Sequence, residues 1–103
     1  MPPALTSATA LVLDALARGY RHGFDILDAT GLPSGTVYPI LRRLEEDALA
    51  ASRWEDAAKA QREQRPPRRN YELTPAGRAL AEQARARYPM LAGLAARAKT
   101  RRA

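Results

Sequence analysis

The segment GLPSGTVYPILRRLEE, residues 31–46, decides the fold. It predicts a turn followed by a short helix with two unlike faces. The outward face carries hydroxyl groups, a tyrosine ring and two guanidinium groups, with no carboxylate before Glu45. Because such a face can lie against a polyanion, we interpret the segment as the recognition helix of a helix-turn-helix. The buried face follows the i, i+3, i+4, i+7 spacing of one apolar stripe: Val37, Ile40, Leu41 and Leu44.

The outward residues of this helix are candidates for contact with double-stranded DNA. Arg42 points most directly outward, so it is favoured for pairing with phosphate or guanine. Arg43 lies four residues before Asp47, and a surface ion pair is therefore its alternative role. Pro39 removes one backbone donor, which is a small loss if the helix begins at 34 or 35. The full candidate set on this helix is Ser34, Gly35, Thr36, Tyr38, Pro39, Arg42 and Arg43.

Two helices are expected before this segment. An apolar repeat predicts the first over residues 7–18, with Thr6 or Ser7 as its cap and Gly19 at its end. A shorter helix is expected over residues 22–29, and Gly31 allows the tight turn after it. His22 could bind a ligand or act as a switch, but a local hydrogen bond is the favoured interpretation.

A wing is predicted after the recognition helix. Trp54 favours a strand near 49–55, and the alternation in residues 70–73 favours a second strand. The residues between them are basic and nearly free of large apolar side chains, which predicts a hairpin with a positive tip. The alternative is a loop that stays disordered until DNA is present. The wing candidates for DNA contact are Lys59, Arg62, Arg65, Arg68 and Arg69.

The last predicted helix begins with Thr74 as N-cap and Pro75 at the first helical position. Its apolar stripe keeps phase across Pro89, which predicts one kinked helix. The stripe is longer than a small domain can cover, so we expect it to form a homodimer interface with the first helix. The alternative is a helix folded back on its own core. The interface candidates are Leu5, Leu13, Leu80, Ala84, Tyr88, Leu91, Leu94 and Ala98.

Charge and composition narrow the classes of function. Residues 1–56 contain five arginines and eight acidic residues, whereas residues 57–103 contain twelve basic and three acidic residues, for a net charge of +6. The basic half suggests an anionic partner. No cysteine, no serine–histidine–carboxylate set and no phosphate-binding loop occur, so we expect neither an enzyme nor a metal or other cofactor. A long apolar run and a signal peptide are also lacking, which predicts a cytoplasmic protein without a membrane partner.

Three stretches together resemble the PadR family of bacterial transcriptional regulators: residues 22–26, 35–45 and 69–77. The most specific pieces are Thr-Val-Tyr-Pro inside the recognition helix and Tyr-x-Leu-Thr after the wing. The resemblance extends from the first helix to about residue 88 and is strongest to the compact subgroup with one C-terminal dimerisation helix. One departure is the wing tip, residues 57–65, which has no glycine and favours helix or disorder over a tight turn.

The resemblance implies a mainly α protein with a small β-hairpin. Residues 1–73 would form the winged helix-turn-helix, with the wing at about 50–73, and residues 74–103 would form the dimerisation helix and a basic tail. It implies a homodimer that represses transcription by binding a pseudo-palindromic operator. A rival hypothesis is a winged-helix module that binds protein and has no operator. A third, compatible with repression, adds a small aromatic effector at the dimer interface, lined by Tyr88, Met90 and Trp54.

Overall fold

The structure, a computed structural model, describes residues 5–91. The predicted fold class is confirmed, because the described chain is mostly helical with one antiparallel hairpin. The first three helices begin and end within one or two residues of their predicted limits. In chain order the elements are α1 (Ser7–Ala17), α2 (Gly23–Thr30), α3 (Ser34–Glu46), β1 (Ala50–Trp54), α4 (Ala57–Arg62), β2 (Arg69–Leu73) and α5 (Pro75–Arg87).

Local capping groups set the ends of the first two helices. The Thr6 hydroxyl accepts a hydrogen bond from the Thr9 backbone N–H at 3.2 Å, so Thr6 rather than Ser7 caps α1. Gly19 and Gly31 take φ values of 97° and 73° where α1 and α2 end. Glycine adopts this left-handed conformation without steric cost, which explains both predicted stops.

The turn after α3 uses the same geometry without a glycine. Ala48 has a φ of 58°, and its N–H donates to the Glu45 carbonyl at 3.0 Å. The Leu49 N–H reaches back to the Leu44 carbonyl at 2.8 Å, and both leucine side chains are buried. This pair of bonds and the apolar contact beside it define a Schellman motif. The motif reverses the chain directly into β1.

The core lies where α1, α2 and α3 meet. The apolar face predicted for α3 is buried, and Ile40 and Leu32 pack partly exposed at its margin. Burial of this stripe fixes the rotation of α3 and therefore which of its residues face solvent. The largest fully buried side chains are Leu13, Ile26, Leu41, Leu44, Val12 and Val37.

The hairpin is joined to the helical part through β2. Its register runs from Ala50 opposite Leu73 to Trp54 opposite Arg69. A further bridge links His22 to Asn70, and the Tyr71 N–H donates to the Arg21 carbonyl at 2.8 Å. The two residues that precede α2 thus pair with β2, which ties the hairpin to the helix-turn-helix.

Helix α5 packs along α1 of the same chain. Ala81 and Ala84 are buried in this contact, and their small side chains allow the two helices to approach closely. Asp14 of α1, also buried, pairs with Arg85 of α5 at 3.2 Å and with Arg18 at 2.9 Å. The described part of α5 therefore covers its own core, which is the alternative that the sequence left open for this helix.

The prediction of one kinked helix through Pro89 is wrong. Helix α5 ends at Arg87, and Tyr88 leaves the helical region with φ −126° and ψ 75°. A residue that precedes proline is pushed out of the α region by the proline ring, which explains the break. The Tyr88 hydroxyl donates to the Leu5 carbonyl at 2.9 Å and holds this joint against the start of α1. Leu94, Ala98 and the basic tail lie outside the described residues.

Within residues 5–91, no helix has the length and apolar character needed to cross a membrane.

At Gly77, α5 closely approaches the turn between α3 and β1. A Cβ atom at this position would overlap the backbone carbonyl of Leu49. The Thr74 N–H donates to the same carbonyl at 3.1 Å, and the Thr74 hydroxyl donates to the Ala48 carbonyl at 2.8 Å. The start of α5 thus rests directly on the turn that leads into β1.

Gly77→Ala should lower the free energy of unfolding by about 1–3 kcal/mol, because the added methyl group meets backbone that cannot rotate away. Gly35→Ala is the matched control, since a Cβ there meets nothing within 4 Å. That variant should be unchanged or more stable by about 0.4–1 kcal/mol. Denaturant unfolding of both variants gives the measurement. Equal stability of the two would contradict the proposed close packing at Gly77.

Candidate nucleic-acid interface

The α3 residues predicted to contact DNA lie on the solvent side of the helix. Ser34, Gly35, Pro39, Arg42 and Arg43 are exposed, and Thr36 is half-buried. The first acidic residue of the helix is Glu45, in its last turn. The leading two-thirds of this face therefore present hydroxyl groups, bare backbone and guanidinium groups without a competing carboxylate.

Pro39 lies in the middle of α3 without breaking it. Its missing N–H leaves the carbonyl of Gly35, four residues earlier, without its helical partner. Gly35 is exposed and a Cβ there would meet nothing within 4 Å, so water can reach that carbonyl. The cost of the proline is therefore small at this position.

The two arginines of α3 have different partners. The Arg43 Nε donates to the Asp47 carboxylate at 3.1 Å, which is the predicted i,i+4 pair. For Arg42 no ion pair is found among residues 5–91, so the sequence-compatible pair with Glu46 does not form. Arg42 is therefore the α3 cation whose full charge is open to an external anion.

Tyr38 is held at the corner between α2 and α3. Its ring and hydroxyl lie 2.6 Å from the position that a Cβ of Gly23 would occupy. The ring therefore needs glycine at the start of α2, although the side chain remains 41% exposed. Tyr38 combines a structural contact with exposure on the outer face of α3. His22 beside it makes the expected local hydrogen bond, with Nδ1 3.2 Å from the Asp25 carboxylate.

The wing tip is a short helix rather than a loop. Asp56 caps α4 by accepting from the Ala58 N–H at 3.0 Å. At the other end Gln64 takes a left-handed φ of 55°, and the Arg65 N–H donates to the Ala60 carbonyl at 3.1 Å. This is a Schellman ending with glutamine where glycine is usual. The helical tendency of the glycine-free tip, noted from the sequence, accounts for this departure.

A cluster of charged residues closes the base of this helix. Both guanidinium nitrogens of Arg65 bind the Glu55 carboxylate, and the Arg65 Nε donates to Glu63 at 3.1 Å. Glu55 also accepts from the Arg68 backbone N–H at 2.8 Å, and its side chain is 7% exposed. Arg65 was a candidate DNA contact, but in this conformation its charge is compensated by two carboxylates.

Arg69, another candidate, braces the base of the wing. Its Nε donates to the Ser52 hydroxyl at 2.8 Å, and it pairs with Glu45 of α3 at 3.4 Å. Its guanidinium carbon lies 5.7 Å from the centre of the exposed Trp54 ring. These contacts join both strands to the end of α3, so Arg69 has a structural role that the sequence interpretation missed.

The remaining wing cations differ in how far their charges are compensated. Lys59 and Arg62 are exposed on α4, and neither has an ion pair within residues 5–91. They lie three residues apart and so share one side of the helix, away from the fully buried Ala60. Arg68 is exposed and 3.8 Å from Glu55. Among the wing residues predicted to contact DNA, the unpaired positive charges are therefore the two on α4.

Some of the residues predicted to form a dimer interface are buried within the chain, whereas others are partly exposed. Leu13, Ala84 and Leu91 are covered within the chain itself, so in this conformation they offer no surface to a partner. Leu5, Leu80 and Tyr88 are half-buried at the edge of the same core, and Met90 is 74% exposed. The residues predicted to line an effector site are not brought together, because no described contact joins Trp54, on the wing, to Tyr88. A cavity of about 210 Å³ lies between α1 and α5, but other residues line it.

Several residues with clear roles were not identified from the sequence. Asp14 and Arg85 are 71 positions apart, Glu55 and Arg65 ten positions apart, and neither pair falls on a helical spacing that would reveal it. Gly23 and Gly77 have ordinary φ values, so only their three-dimensional neighbours show why glycine is needed. Among residues 5–91 no group of three potential metal ligands occurs.

A helix-turn-helix with an adjacent wing and a carboxylate-poor, cationic outer face defines a DNA-binding transcriptional regulator. The chain belongs to the transcriptional regulator PadR-like family, whose model matches residues 12–83. No curated protein matches the sequence. Proteins of this family are regulators of transcription.

The chain resembles several solved structures, including the following three. A PadR-like transcription factor from Bacteroides fragilis is 26% identical with a TM-score of 0.64, over 82% of each chain. A PadR family regulator from Clostridium difficile R20291 is 20% identical with a TM-score of 0.69, over 86% of this chain and 94% of that one, and supports the fold alone. BpsR of Bordetella bronchiseptica, whose DNA binding is regulated by 6-hydroxynicotinic acid, is 28% identical with a TM-score of 0.60, over 92% of this chain and 62% of its own.

The ion pair between Glu55 and Arg65 at the base of the wing should be lost in acid. Hydrogen bonds from the Arg65 guanidinium lower the pKa of Glu55 from 4.5 to about 2; burial opposes the shift, and the Arg68 N–H assists it. Because the folded pKa lies below the ordinary one, the carboxylate stabilises the wing fully above about pH 4.5, and this contribution is lost as pH falls towards 2.

The side-chain carboxyl carbon of Glu55, followed by NMR during acid titration, should therefore show a midpoint of about 2. In Arg65→Gln the midpoint should rise towards 4.5, because the main stabiliser of the charged form is gone. A midpoint near 4.5 in the unaltered protein would contradict the paired state.

Proposed function

We propose that this regulator is a repressor that binds a pseudo-palindromic operator as a homodimer. The observation that carries the proposal is the outer face of α3, where Arg42 is exposed and unpaired within residues 5–91 and no carboxylate precedes Glu45. A helix of this kind fits the major groove, where an arginine can pair with guanine through two hydrogen bonds. Ser34, Gly35, Thr36, Tyr38 and Pro39 would complete the contact surface along the same helix.

The dimer is proposed from apolar surface at one end of the chain. Leu5, Leu80 and Tyr88 are only half-buried, and Met90, two residues after Tyr88, is largely exposed. Residues beyond 91 continue the apolar repeat through Leu94 and Ala98. A twofold pairing there would set two copies of α3 at successive turns of the duplex, about 34–36 Å apart. The wing would contact flanking phosphates.

The proposal includes a small aromatic effector that binds at the dimer interface and regulates DNA binding. In BpsR, which shares this fold, DNA binding is regulated by 6-hydroxynicotinic acid, a small aromatic acid. In this chain Tyr88 and Met90 flank the joint at the end of α5, where a ligand that altered the joint would alter the spacing between the two recognition helices. Trp54 is left out of this site, because it stacks with Arg69 on the wing.

Arg42→Ala should weaken binding to the selected operator by about 1–3 kcal/mol, because one bidentate base contact is lost. Binding to random duplex should weaken much less. Arg78→Ala removes the same charge from an exposed position on α5 and is the matched control. Fluorescence anisotropy at fixed salt, with an operator recovered by selection from random duplexes, gives both affinities.

If Arg42→Ala weakened the affinity for operator and for random duplex equally, Arg42 would not be a base-contacting residue. Absence of binding to any duplex at moderate salt would instead favour a winged-helix module whose partner is a protein.

Leu94→Glu should convert the dimer into a monomer, because a buried carboxylate without a partner is strongly unfavourable in an apolar interface. Light scattering should then fall from twice the chain mass of 11.3 kDa to that mass. Ala58→Glu, on the exposed side of α4, should stay dimeric and serves as control. A dimeric Leu94→Glu protein would contradict an interface at the C-terminal repeat.

A further inference from the structure

We infer that Glu55 is a positioning residue, which holds the wing tip as a helix by pairing with Arg65. Arg65 is then not available to the nucleic acid, and Lys59 and Arg62 are presented together to DNA phosphates. The inference rests on the proposed binding of duplex DNA by this winged helix. It assigns different tasks to wing cations that look equivalent in the sequence.

The geometry at Glu55 ties both ends of the tip segment together. Glu55 is the last residue before the cap of α4, and its backbone N–H donates to the Arg68 carbonyl at 2.8 Å. Its carboxylate holds Arg65 and the Arg68 N–H, which both follow α4. One nearly buried side chain thus joins the segment that enters α4 to the segment that leaves it.

Helix α4 needs this support because it is short. A helix of six residues, Ala57–Arg62, is far below the roughly 12–15 residues that are marginally stable alone in water. Its ending holds Gln64 in a left-handed conformation, which is sterically unfavourable for a residue with a side chain. The Asp56 cap, the burial of Ala60, the backbone hydrogen bonds of the helix ending and the Glu55 cluster offset these costs.

The result is a small cationic surface with fixed spacing. Lys59 and Arg62 lie on one side of α4, and Ala60 faces inward with no exposure. If the tip unfolded, the same two charges would remain but their relative positions would vary. Ordering the tip in advance removes that entropy cost from the binding step.

The test uses a variant that keeps the net charge. Glu55→Gln/Arg65→Gln removes the pair, so its effect on DNA affinity cannot be a change in overall charge. Amide hydrogen exchange without DNA should become at least tenfold faster in α4, and affinity for duplex should fall about three- to tenfold. The control Arg21→Gln/Glu72→Gln removes an exposed pair 3.9 Å apart, which does not touch α4, and should leave exchange in α4 unchanged.

A second measurement separates positioning from general stability. In the unaltered protein Lys59→Ala should reduce the slope of log affinity against log salt by about 0.9, the value for one phosphate contact. In the Glu55→Gln/Arg65→Gln background the same change should have less than half that effect.

The possible outcomes separate the positioning role of Glu55 from the proposed binding of duplex DNA. Unaltered exchange in α4, or a Lys59 effect of equal size in both backgrounds, would overturn the positioning role even if DNA binding is intact. A protein that binds no duplex, but whose α4 opens when the pair is removed, would overturn the DNA-binding proposal while leaving the role of Glu55 in folding the tip.

Discussion

Burial of one face of α3 is the constraint on which the structure depends. Val37, Leu41 and Leu44 have at most 1% of their surface exposed, so the helix cannot rotate about its axis without uncovering them. The same constraint turns Arg42 outward and leaves its side of the helix to solvent. Packing and surface chemistry are therefore set together by the period of the apolar residues.

Local patterns in the sequence were enough to predict the helix-turn-helix, because apolar spacing and helix caps depend on residues that are close in the chain. Helical spacing located α1 and α3, Thr6 and Gly19 marked the ends of α1, and Gly31 marked the end of α2. The hairpin was also recoverable from the short alternating run at 70–73. What could not be recovered depends on approach between distant segments, as at Gly77, where a Leu49 carbonyl decides the residue type.

The limits of charge counting are clearest in the wing. Five basic residues made the tip look uniformly positive, yet Arg65 is compensated by Glu55 and Glu63, and Arg69 is shared between Ser52 and Glu45. A sequence shows how many charges a segment carries but not which of them face another charge. The stripe of α5 poses a similar problem, since part of it is used against α1 and hidden from any partner.

The joint at Tyr88 has a consequence for the shape of any assembly built through the residues beyond it. Proline at 89 confines the preceding backbone to a narrow set of angles, and the Tyr88 hydroxyl anchors that point to the entrance of α1. Leu91, three residues further on, is buried in the core, and its N–H donates to the Tyr88 carbonyl at 3.0 Å. The break therefore turns the backbone so that an apolar side chain beyond the end of α5 returns to the core, and the segment that a partner could meet starts from a position fixed at both sides of Pro89.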